Sequence, residues 1–196
     1  MSIQLTLSGH SFSHSDLPKL SGGDGQIVEI EVVTERVTLV PIEVFDENRA
    51  GEMLRIAGVA VGDDDRAVVV RDEMTGIAAL MALPQALLSA VEESYGDKFE
   101  FTTPLLRTRV CTTPTAWFYL AGQLIYIKVW SDGKLRMAEV LPRTKMEDVL
   151  YYAATIDKRF GLSIYRVVVS GAKACEAEVR EATKLLNKFY NKVVCE

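Results

Sequence analysis

Residues 115–141 read TAWFYLAGQLIYIKVWSDGKLRMAEVL, and this segment limits the folds that the chain can adopt. Two runs rich in aromatic and β-branched residues, 117–120 and 124–130, lie on either side of Gly122. Such residues favour strands, and a glycine at the first of two turn positions is typical of a type II′ hairpin. The segment therefore predicts a β-hairpin that turns at Gly122.

The predicted hairpin continues into a third strand. Asp132 and Gly133 follow the second arm directly, and this dipeptide is a strong signal for a type I′ turn. An apolar run then resumes over residues 135–141. We therefore expect residues 115–141 to form a three-stranded antiparallel meander.

A helix follows the predicted meander. Thr144 and Glu147 have the spacing of a capping box, in which each side chain accepts a hydrogen bond from the main-chain amide of the other residue. Apolar residues then recur at three- and four-residue steps over 145–160, and Gly161 is a typical stop. The sequence predicts a helix over residues 145–160 that packs one apolar face.

The end of the chain predicts one more strand and one more helix. The short apolar run 165–169 is typical of a strand that is covered on both faces. It should lie parallel to the first arm of the meander, because it is reached through a crossover helix. An amphipathic pattern over 173–190 predicts the last helix, so the second half has the order β-β-β-α-β-α.

The first half also alternates strands and helices. Alternating apolar residues predict a strand over 3–7, and Ser8-Gly9 predicts a turn into a returning arm over 10–13. Residues 27–33 and 37–40 predict two more strands or one bent strand. The other predicted elements are strands over 67–70, 77–83 and 99–101 and helices over 41–57 and 84–95. We place a boundary near Thr113, which gives a first lobe of residues 1–113 and a second of 114–196.

Composition and charge narrow the class of protein. The chain has 196 residues, of which 48% are hydrophobic and 25% charged, and these fractions are typical of a globular protein. Its formal net charge is −5, so no positive field attracts phosphate backbones. We expect no nucleic-acid partner.

Location is inferred from three features. The first residues show no basic segment followed by an apolar one, so we expect no export signal. The most apolar segment, 116–130, is short and contains Lys128, so we expect no membrane span. The three cysteines are odd in number and widely separated, which is typical of reduced thiols. We expect a soluble, cytoplasmic protein.

Several phrases of the sequence resemble a known family. They are Ser2 to Phe12 (SIQLTLSGHSF), residues 39–41 (LVP), Phe45-Asp46 and residues 147–152 (EDVLYY). They are similar to a family of uncharacterised bacterial proteins with an actin-like ATPase fold, which is also ribonuclease H-like. That family is distantly similar to the pilus-assembly and cell-division branch of actin-like proteins.

The resemblance implies an α/β fold of two halves, each with a β-meander followed by an α/β part, and mixed sheets. The predicted pattern stops after one βα unit of the second half. We therefore expect the last strand and helix of the full fold to be missing or rearranged.

The resemblance also locates the places where a nucleotide would bind. Actin-like ATPases hold phosphates on two hairpin turns, usually with an aspartate before each glycine, and these turns correspond to Gly9 and Gly122. No carboxylate precedes either glycine within its strand. Magnesium in such sites needs carboxylate oxygens. We therefore expect the chain neither to hydrolyse ATP nor to bind ATP with Mg²⁺.

The best local candidate for a ligand site is an anion or nucleotide site at Ser170, Gly171 and Lys173. These residues lie between a predicted strand and a predicted helix, where free amides and a lysine attract anions. They also resemble the adenosine-binding phrase of actin-like proteins, although Ala172 replaces one glycine of the usual pair. The alternative is a plain strand-to-helix turn, which needs a glycine without any ligand.

Metal-binding and catalytic candidates are weaker. His10 and His14 lie on an extended segment, about 13 Å apart by strand rise, which is too far for one metal. The triplet 63–65 (DDD) lacks the spaced ligands of a calcium loop and is interpreted as a solvated turn. We therefore expect no metal site and no catalytic residue.

Two further groups could serve a site. Cys111 has no sequence neighbour that would activate its thiol, so we do not expect it to be a nucleophile. The aromatic residues of the meander could stack a ligand but are interpreted as core or interface. They are Trp117, Phe118, Tyr119, Tyr126 and Trp130.

Three functional hypotheses follow. The leading hypothesis is a non-catalytic binding or scaffold protein with a degenerate actin-like fold, whose partner is another protein or a second copy. The alternative is a nucleotide-binding ATPase that uses acids at other positions, such as Asp16 or Asp24. A third is a ribonuclease H-like nuclease, which requires several carboxylates around two metals.

Overall fold

The structure is a computed structural model that describes residues 2–7, 27–107 and 111–196. The chain divides into two units, Met1–Arg107 and Thr108–Glu196. The division therefore falls between Arg107 and Thr108, whereas the sequence suggested a boundary near Thr113. Each unit contains its own sheets.

The first unit contains two three-stranded sheets. Its elements are β1 (Ser2–Thr6), β2 (Val28–Val33), β3 (Val37–Pro41), α1 (Ala50–Ile56), β4 (Asp65–Asp72), β5 (Ile77–Pro84), α2 (Gln85–Tyr95) and β6 (Phe99–Thr102). Strands β1, β2 and β6 form a parallel sheet with β2 in the centre. Strands β3, β5 and β4 form an antiparallel sheet with β5 in the centre.

Strand β1 confirms the predicted first strand. Ile3 and Leu5 are buried and pair in parallel with Ile30 and Val32 of β2. The alternation of the sequence thus places one face of β1 in the core. The predicted returning arm over 10–13 lies outside the described residues.

Helix α1 is shorter than the predicted helix over 41–57, which was wrong in its start. Two 3₁₀ turns, Ile42–Val44 and Glu47–Arg49, precede it. The carboxylate of Asp46 accepts a hydrogen bond from the amide of Asn48 at 3.0 Å. Such local bonds of aspartate compete with continuous helix, so the regular helix begins only at Ala50.

The antiparallel sheet and α1 bury an apolar cluster of the first unit. Ala50 and Leu54 of α1 pack with Ala78, Leu80 and Ala82, which share one face of β5. Helix α2 follows β5 directly and ends at Gly96, whose φ of +62° is a conformation that glycine favours. The predicted helix over 84–95 is confirmed.

The second unit contains one five-stranded sheet with the order β11-β10-β7-β8-β9. Its elements are β7 (Thr115–Ala121), β8 (Leu124–Ser131), β9 (Lys134–Pro142), α3 (Glu147–Phe160), β10 (Arg166–Gly171), α4 (Glu176–Leu186) and β11 (Val193–Cys195). Strands β7, β8 and β9 form an antiparallel meander, as predicted. Strand β10 lies parallel to β7, so the sheet is mixed and this prediction is also confirmed.

Strand β11 is an element that the sequence prediction missed. Its residues 193–195 pair in parallel with β10 from Val167 to Val169. The sheet therefore continues by one strand beyond β10, which the sequence pattern did not predict. Three residues are too few to show a strand pattern in the sequence.

Helices α3 and α4 cover the same face of the five-stranded sheet. Gly171 and Leu120 are paired across β10 and β7, and Val179 of α4 lies against Gly171. Tyr152 and Ile156 of α3 lie beside Met137, Glu139 and Leu141 of β9. Residues paired across strands point to one face, so both helices lie on the face that contains Leu120.

The start of α3 differs from the predicted capping box. Asp148, and not Glu147, provides the carboxylate, which accepts hydrogen bonds from the amides of Thr144 at 2.8 Å and Lys145 at 3.0 Å. The Thr144 hydroxyl donates to the same carboxylate at 3.0 Å. These bonds, chiefly that from the Lys145 amide, hold the pKa of Asp148 below its usual value. The helix is confirmed, but its capping carboxylate was assigned one residue too early.

Candidate functional site

The candidate site lies at one end of the five-stranded sheet, around the turn between β7 and β8. Gly122 opens this turn with a φ of +55°, the positive value that a leading glycine allows. The resemblance to actin-like ATPases predicts that a nucleotide phosphate would bind at this turn. Strand β10 ends at Gly171 beside Leu120, so the two predicted ligand positions lie at the same end of the sheet.

The residues before Gly122 are buried and carry no carboxylate. Tyr119 is 4% exposed, Leu120 0% and Ala121 1%. Leu120 uses its carbonyl oxygen to accept a hydrogen bond from the amide of Ala172 at 2.8 Å. The strand that precedes the turn is therefore occupied by packing and sheet bonds.

Arg143 binds the turn from the end of β9. Its Nη2 donates to the carbonyl oxygen of Gly122 at 2.7 Å, and its amide donates to the carbonyl oxygen of Gln123 at 2.7 Å. The residue is 8% exposed. A buried guanidinium thus closes the hairpin through main-chain contacts.

Glu178 of α4 is the ionic partner of Arg143. The Nη2 atom of Arg143 forms an ion pair and hydrogen bond with the carboxylate, whose side chain is 44% exposed. The Nε atom of Arg143 is buried and has no hydrogen-bond partner among the described residues. The ion pair therefore uses the Nη2 atom of the guanidinium, and the N–H donor at Nε keeps no hydrogen-bond partner among the described residues.

Gly171 brings α4 close to the turn. A Cβ atom at this position would lie 2.7 Å from Cγ2 of Val179 and 2.8 Å from the carbonyl oxygen of Leu120. Only glycine fits between the strand and the helix at these distances. The glycine is explained by close packing, which also holds Glu178 within reach of Arg143.

The other residues of the predicted anion site are arranged less favourably. The Oγ atom of Ser170 is buried and has no hydrogen-bond partner among the described residues. Ser170 pairs with Tyr119 on the neighbouring strand β7. Lys173 is exposed and begins a 3₁₀ turn before α4. The first turn of α4 carries Glu176 and Glu178, which oppose an anion at that helix end. An anion site at Ser170, Gly171 and Lys173 stays a prediction.

The aspartate triplet of the first unit is partly buried, which corrects its interpretation as a solvated turn. Asp65 is 8% exposed and forms a buried ion pair with Arg36. Its carboxylate also accepts a hydrogen bond from the amide of Gly62 at 2.5 Å, and Nε of Arg36 donates to the carbonyl oxygen of Ala60 at 3.1 Å. The pair joins the start of β3 to the start of β4.

A second buried carboxylate of the first unit lies on β2. Glu31 is 1% exposed and accepts a hydrogen bond from Nε2 of Gln4 at 2.8 Å. Arg107, which follows β6, forms an ion pair with the same carboxylate. Sequence reasoning missed this contact, because Glu31 and Arg107 are far apart along the chain. The carboxylate links β1 and β2 to the segment that follows β6.

Lys128 is a buried cation that the sequence did not identify as part of the core. It is 0% exposed in β8, which lies between β7 and β9. Its Nζ lies 4.5 Å from the ring centre of Trp117 and 5.1 Å from that of Trp130. Cations over tryptophan faces are attracted by the ring quadrupole. Two aromatic residues of the meander, Trp117 and Trp130, thus pack against Lys128.

The remaining candidates give no site within the described residues. His10, His14, Asp16 and Asp24 lie outside them. Among residues 2–7, 27–107 and 111–196, no three side chains of the metal-binding types come together. Cys111 is half-buried and its thiol is not oxidised to a disulfide. In the same part of the chain, no helix is long and apolar enough to cross a membrane.

Comparison with solved structures defines the fold. The chain matches a Bacteroides thetaiotaomicron protein with an actin-like ATPase fold and unknown function, with a TM-score of 0.69 and 16% identity. The match covers 87% of this chain and 68% of that one. The chain therefore has an actin-like ATPase fold.

The family follows from a second comparison. The chain belongs to the family described as protein of unknown function (DUF3822), whose model matches residues 26–193. A further structure, the cytoplasmic domain of EpsL from Vibrio cholerae, matches with a TM-score of 0.47 and 11% identity. That match covers 87% of this chain and 81% of the other, an inner membrane component of the type II secretion system. No curated protein matches the chain.

Proposed function

We propose that this chain is a non-catalytic binding or scaffold protein that keeps an actin-like fold and binds other proteins. The observation that carries the proposal is the state of the hairpin turn at Gly122. The carbonyl oxygen of Gly122 accepts a hydrogen bond from Arg143 at 2.7 Å, and the three residues before Gly122 are buried and carry no carboxylate. These contacts support a turn that is held by the chain's own Arg143 and not by a nucleotide.

Phosphoryl transfer would need groups that this turn does not offer. Mg²⁺ is held by carboxylates and phosphate oxygens, and the metal neutralises the charge that develops during transfer. The three residues before Gly122 are Tyr119, Leu120 and Ala121. The carboxylate of Glu178 is near the turn but is paired with Arg143. We infer that the turn cannot hold Mg²⁺ and ATP.

A nucleotide-binding ATPase is the second candidate. The buried Nε of Arg143 is the observation that favours it, because a guanidinium donor suits a phosphate oxygen. In this candidate Asp16 or Asp24 would supply the acid. Both residues precede Ile27, outside the described residues.

A cytoplasmic location belongs to the same proposal. Cys111, Cys175 and Cys195 are all free thiols, which supports a reducing compartment. The partner we propose is a protein, and the net charge of −5 supports this over a nucleic acid.

Calorimetric titration with ATP and Mg²⁺ separates the two candidates. We expect no heat of binding and no phosphate release above a control without protein. Weak binding of phosphate or sulfate alone is compatible with the scaffold proposal, since it needs neither metal nor base. Turnover that disappears in Asp16→Ala or Asp24→Ala would overturn the proposal and identify the ATPase.

A further inference from the structure

One end of the second unit is formed by the two segments that lead into β10 and β11. Residues 161–165 join α3 to β10, and residues 187–192 join α4 to β11. Strands β10 and β11 are parallel and pair from Val167 and Val193 onward, so both segments lie at the same end of the sheet. The amide of Val167 donates a hydrogen bond to the carbonyl oxygen of Lys192 at 2.9 Å, which joins the two segments.

The end of α3 also adjoins the segment that follows α4. The carboxylate of Asp157, in the last turn of α3, accepts a hydrogen bond from the amide of Leu162 at 2.5 Å. Burial and, after it, the negative charge of Asp157 raise the pKa of Tyr190, so these two side chains are close together. The ends of both helices and the two segments therefore share one outer surface.

Two large apolar side chains are exposed on this surface. Ile164 is 67% exposed and Phe189 is 61% exposed. Scattered apolar residues on a protein surface need no explanation, but apolar residues that share one end of a unit with polar or charged groups are typical of an interaction site. Both residues lie on short segments between a helix and a strand, outside any pattern that would bury them.

Four exposed lysines lie on the same surface. Lys158 is in the last turn of α3 and Lys184 in the last turn of α4, while Lys188 and Lys192 follow α4. None of the four forms an ion pair within the described part of the chain. A helix dipole favours lysines in its last turn, which accounts for the first two. It accounts neither for Lys192 nor for the exposed apolar residues.

The acidic residues nearby do not cancel this positive charge. Residues 157–166 and 184–192 together contain six basic residues and one acidic residue, the half-buried Asp157. Two more acids adjoin them: Glu196 pairs with Arg166, and Glu181 lies one turn before Lys184. Basic residues therefore outnumber acidic ones by six to three even when both acids are counted.

The negative net charge of the chain belongs to the first unit. Residues 1–107 contain 18 acidic and 8 basic residues, which gives a formal charge of −10. Residues 108–196 contain 9 acidic and 14 basic residues, which gives +5, and the two values sum to the −5 of the whole chain. The second unit is therefore cationic, and the exposed apolar residues of this end lie among its lysines.

We propose that this end of the second unit binds the surface of an anionic lipid bilayer. The four lysines lie against the phosphate-containing headgroups, and Ile164 and Phe189 enter the boundary between headgroups and acyl chains. Basic residues near an anionic membrane surface and apolar side chains that leave water both contribute to such binding. The inference goes beyond the proposed function, because it uses none of the contacts of the turn at Gly122.

A nucleic acid fits this surface less well than a bilayer. Lysines attract the phosphate backbone of either partner. Proteins that bind single strands stack the bases on aromatic side chains, and Ile164 has no ring on which a base could stack. A bilayer accepts an aliphatic and an aromatic side chain equally, together with the lysines around them.

The test measures flotation of the full chain with two kinds of lipid vesicle. One contains phosphatidylcholine alone, and in the other about one third of the lipid is the anionic phosphatidylglycerol. We expect binding to the anionic vesicles, at least about tenfold weaker binding to the neutral ones, and a loss of binding as salt is raised.

Charge reversal tests the lysines. Lys184→Glu combined with Lys188→Glu should weaken binding to the anionic vesicles at least about tenfold. The matched control is Lys98→Glu combined with Lys145→Glu, which makes the same charge change at exposed positions away from this end. The control should change binding by less than about twofold, since surface charges act within about a Debye length.

The apolar residues are tested in the same way. Ile164→Ser combined with Phe189→Ser should weaken binding to the anionic vesicles about tenfold. Ile56→Ser combined with Met74→Ser is the control, because these residues of the first unit are 74% and 91% exposed. All the replaced side chains are exposed, so each variant should fold, and circular dichroism checks this.

Three results would overturn the proposal. The first is that the chain does not bind the anionic vesicles at low salt. The second is that the control variants lose as much binding as the variants of this end. The third is that a single-stranded oligonucleotide binds, that its binding is lost in the lysine variant, and that the serine variant keeps it, which would assign the surface to nucleic acid.

Discussion

Two buried arginines, Arg36 in the first unit and Arg143 in the second, make the same contacts in different surroundings. Each binds a main-chain carbonyl oxygen, and each forms an ion pair with a carboxylate. The side chain of Asp65 is 3% exposed, whereas that of Glu178 is 44% exposed. The first pair is closed to water and the second is open on its acidic side.

This difference separates a structural contact from an exchangeable one. A buried charge without its partner is costly, so a closed pair fixes the chain around it. An exposed carboxylate can be replaced by water at small cost. We infer that Arg36 holds the first unit together, while Arg143 holds a turn whose acidic partner can leave.

The largest expected effect comes from breaking the closed pair. Asp65→Asn should lower the free energy of unfolding by about 3–5 kcal/mol, because it removes the charge of the buried carboxylate that pairs with the Arg36 guanidinium. Urea unfolding measures the change. Asp64→Asn, at the neighbouring exposed position, should change stability by less than about 0.5 kcal/mol. Equal losses in the two variants would contradict the comparison.

A substitution that displaces α4 should move Glu178 away from Arg143 and so test how much the close packing of α4 supports this ion pair. Gly171→Ala places a Cβ 2.7 Å from Val179 and 2.8 Å from the carbonyl oxygen of Leu120. We expect a loss of about 1–3 kcal/mol in the free energy of unfolding. The matched control is Gly51→Ala in α1, where the nearest atom lies 3.9 Å away. That change should be neutral or stabilising, since alanine favours helix.

Breaking the open pair should cost less than breaking the closed one. We expect Glu178→Gln to lower the free energy of unfolding by about 1–2 kcal/mol, because Arg143 stays buried without its carboxylate but the acidic side of the pair is open to water. Glu181→Gln is the control, on the solvent side of the same helix. A loss as large as that of Asp65→Asn would show that the two arginines play the same role.

The smallest effect concerns the helix that begins just after Arg143. Asp148 has a pKa below its ordinary value of 3.8, so its contribution to stability is complete above that value and is lost as pH falls through the lower, folded pKa. Asp148→Asn should therefore destabilise the protein slightly at neutral pH and not in strong acid. Thermal melts at several pH values measure this. A difference that persists in strong acid would exclude capping as the cause.

Local chemistry made much of the fold predictable from the sequence. Gly122, Asp132 and Gly133 predicted the meander because each supplies a turn conformation that its neighbours need. Gly161 ended α3 at a φ of +70° for the same reason. Glu147 and Asp148 both lie where a capping carboxylate is expected, so the sequence could not show which of them caps α3.

Contacts between distant residues were not predictable. Arg143 and Glu178 are 35 residues apart, and Arg36 and Asp65 are 29 apart. A short sequence pattern cannot predict such ion pairs, because they depend on how the strands and helices pack together. Strand β11 was missed because its three residues pair with β10 only after α4 has returned the chain. The candidate site was located by its glycines, but its arginine was found only in the structure.

The position of Lys128 has a spectroscopic consequence. The chain has two tryptophans, Trp117 and Trp130, and both rings lie within 5.1 Å of the same ammonium group. A nearby charge shifts and quenches indole emission, so the intrinsic fluorescence of the protein reports on one place in the second unit. Circular dichroism reports on the helices and strands of both units. Comparing the two signals during heating shows directly whether the units lose structure together.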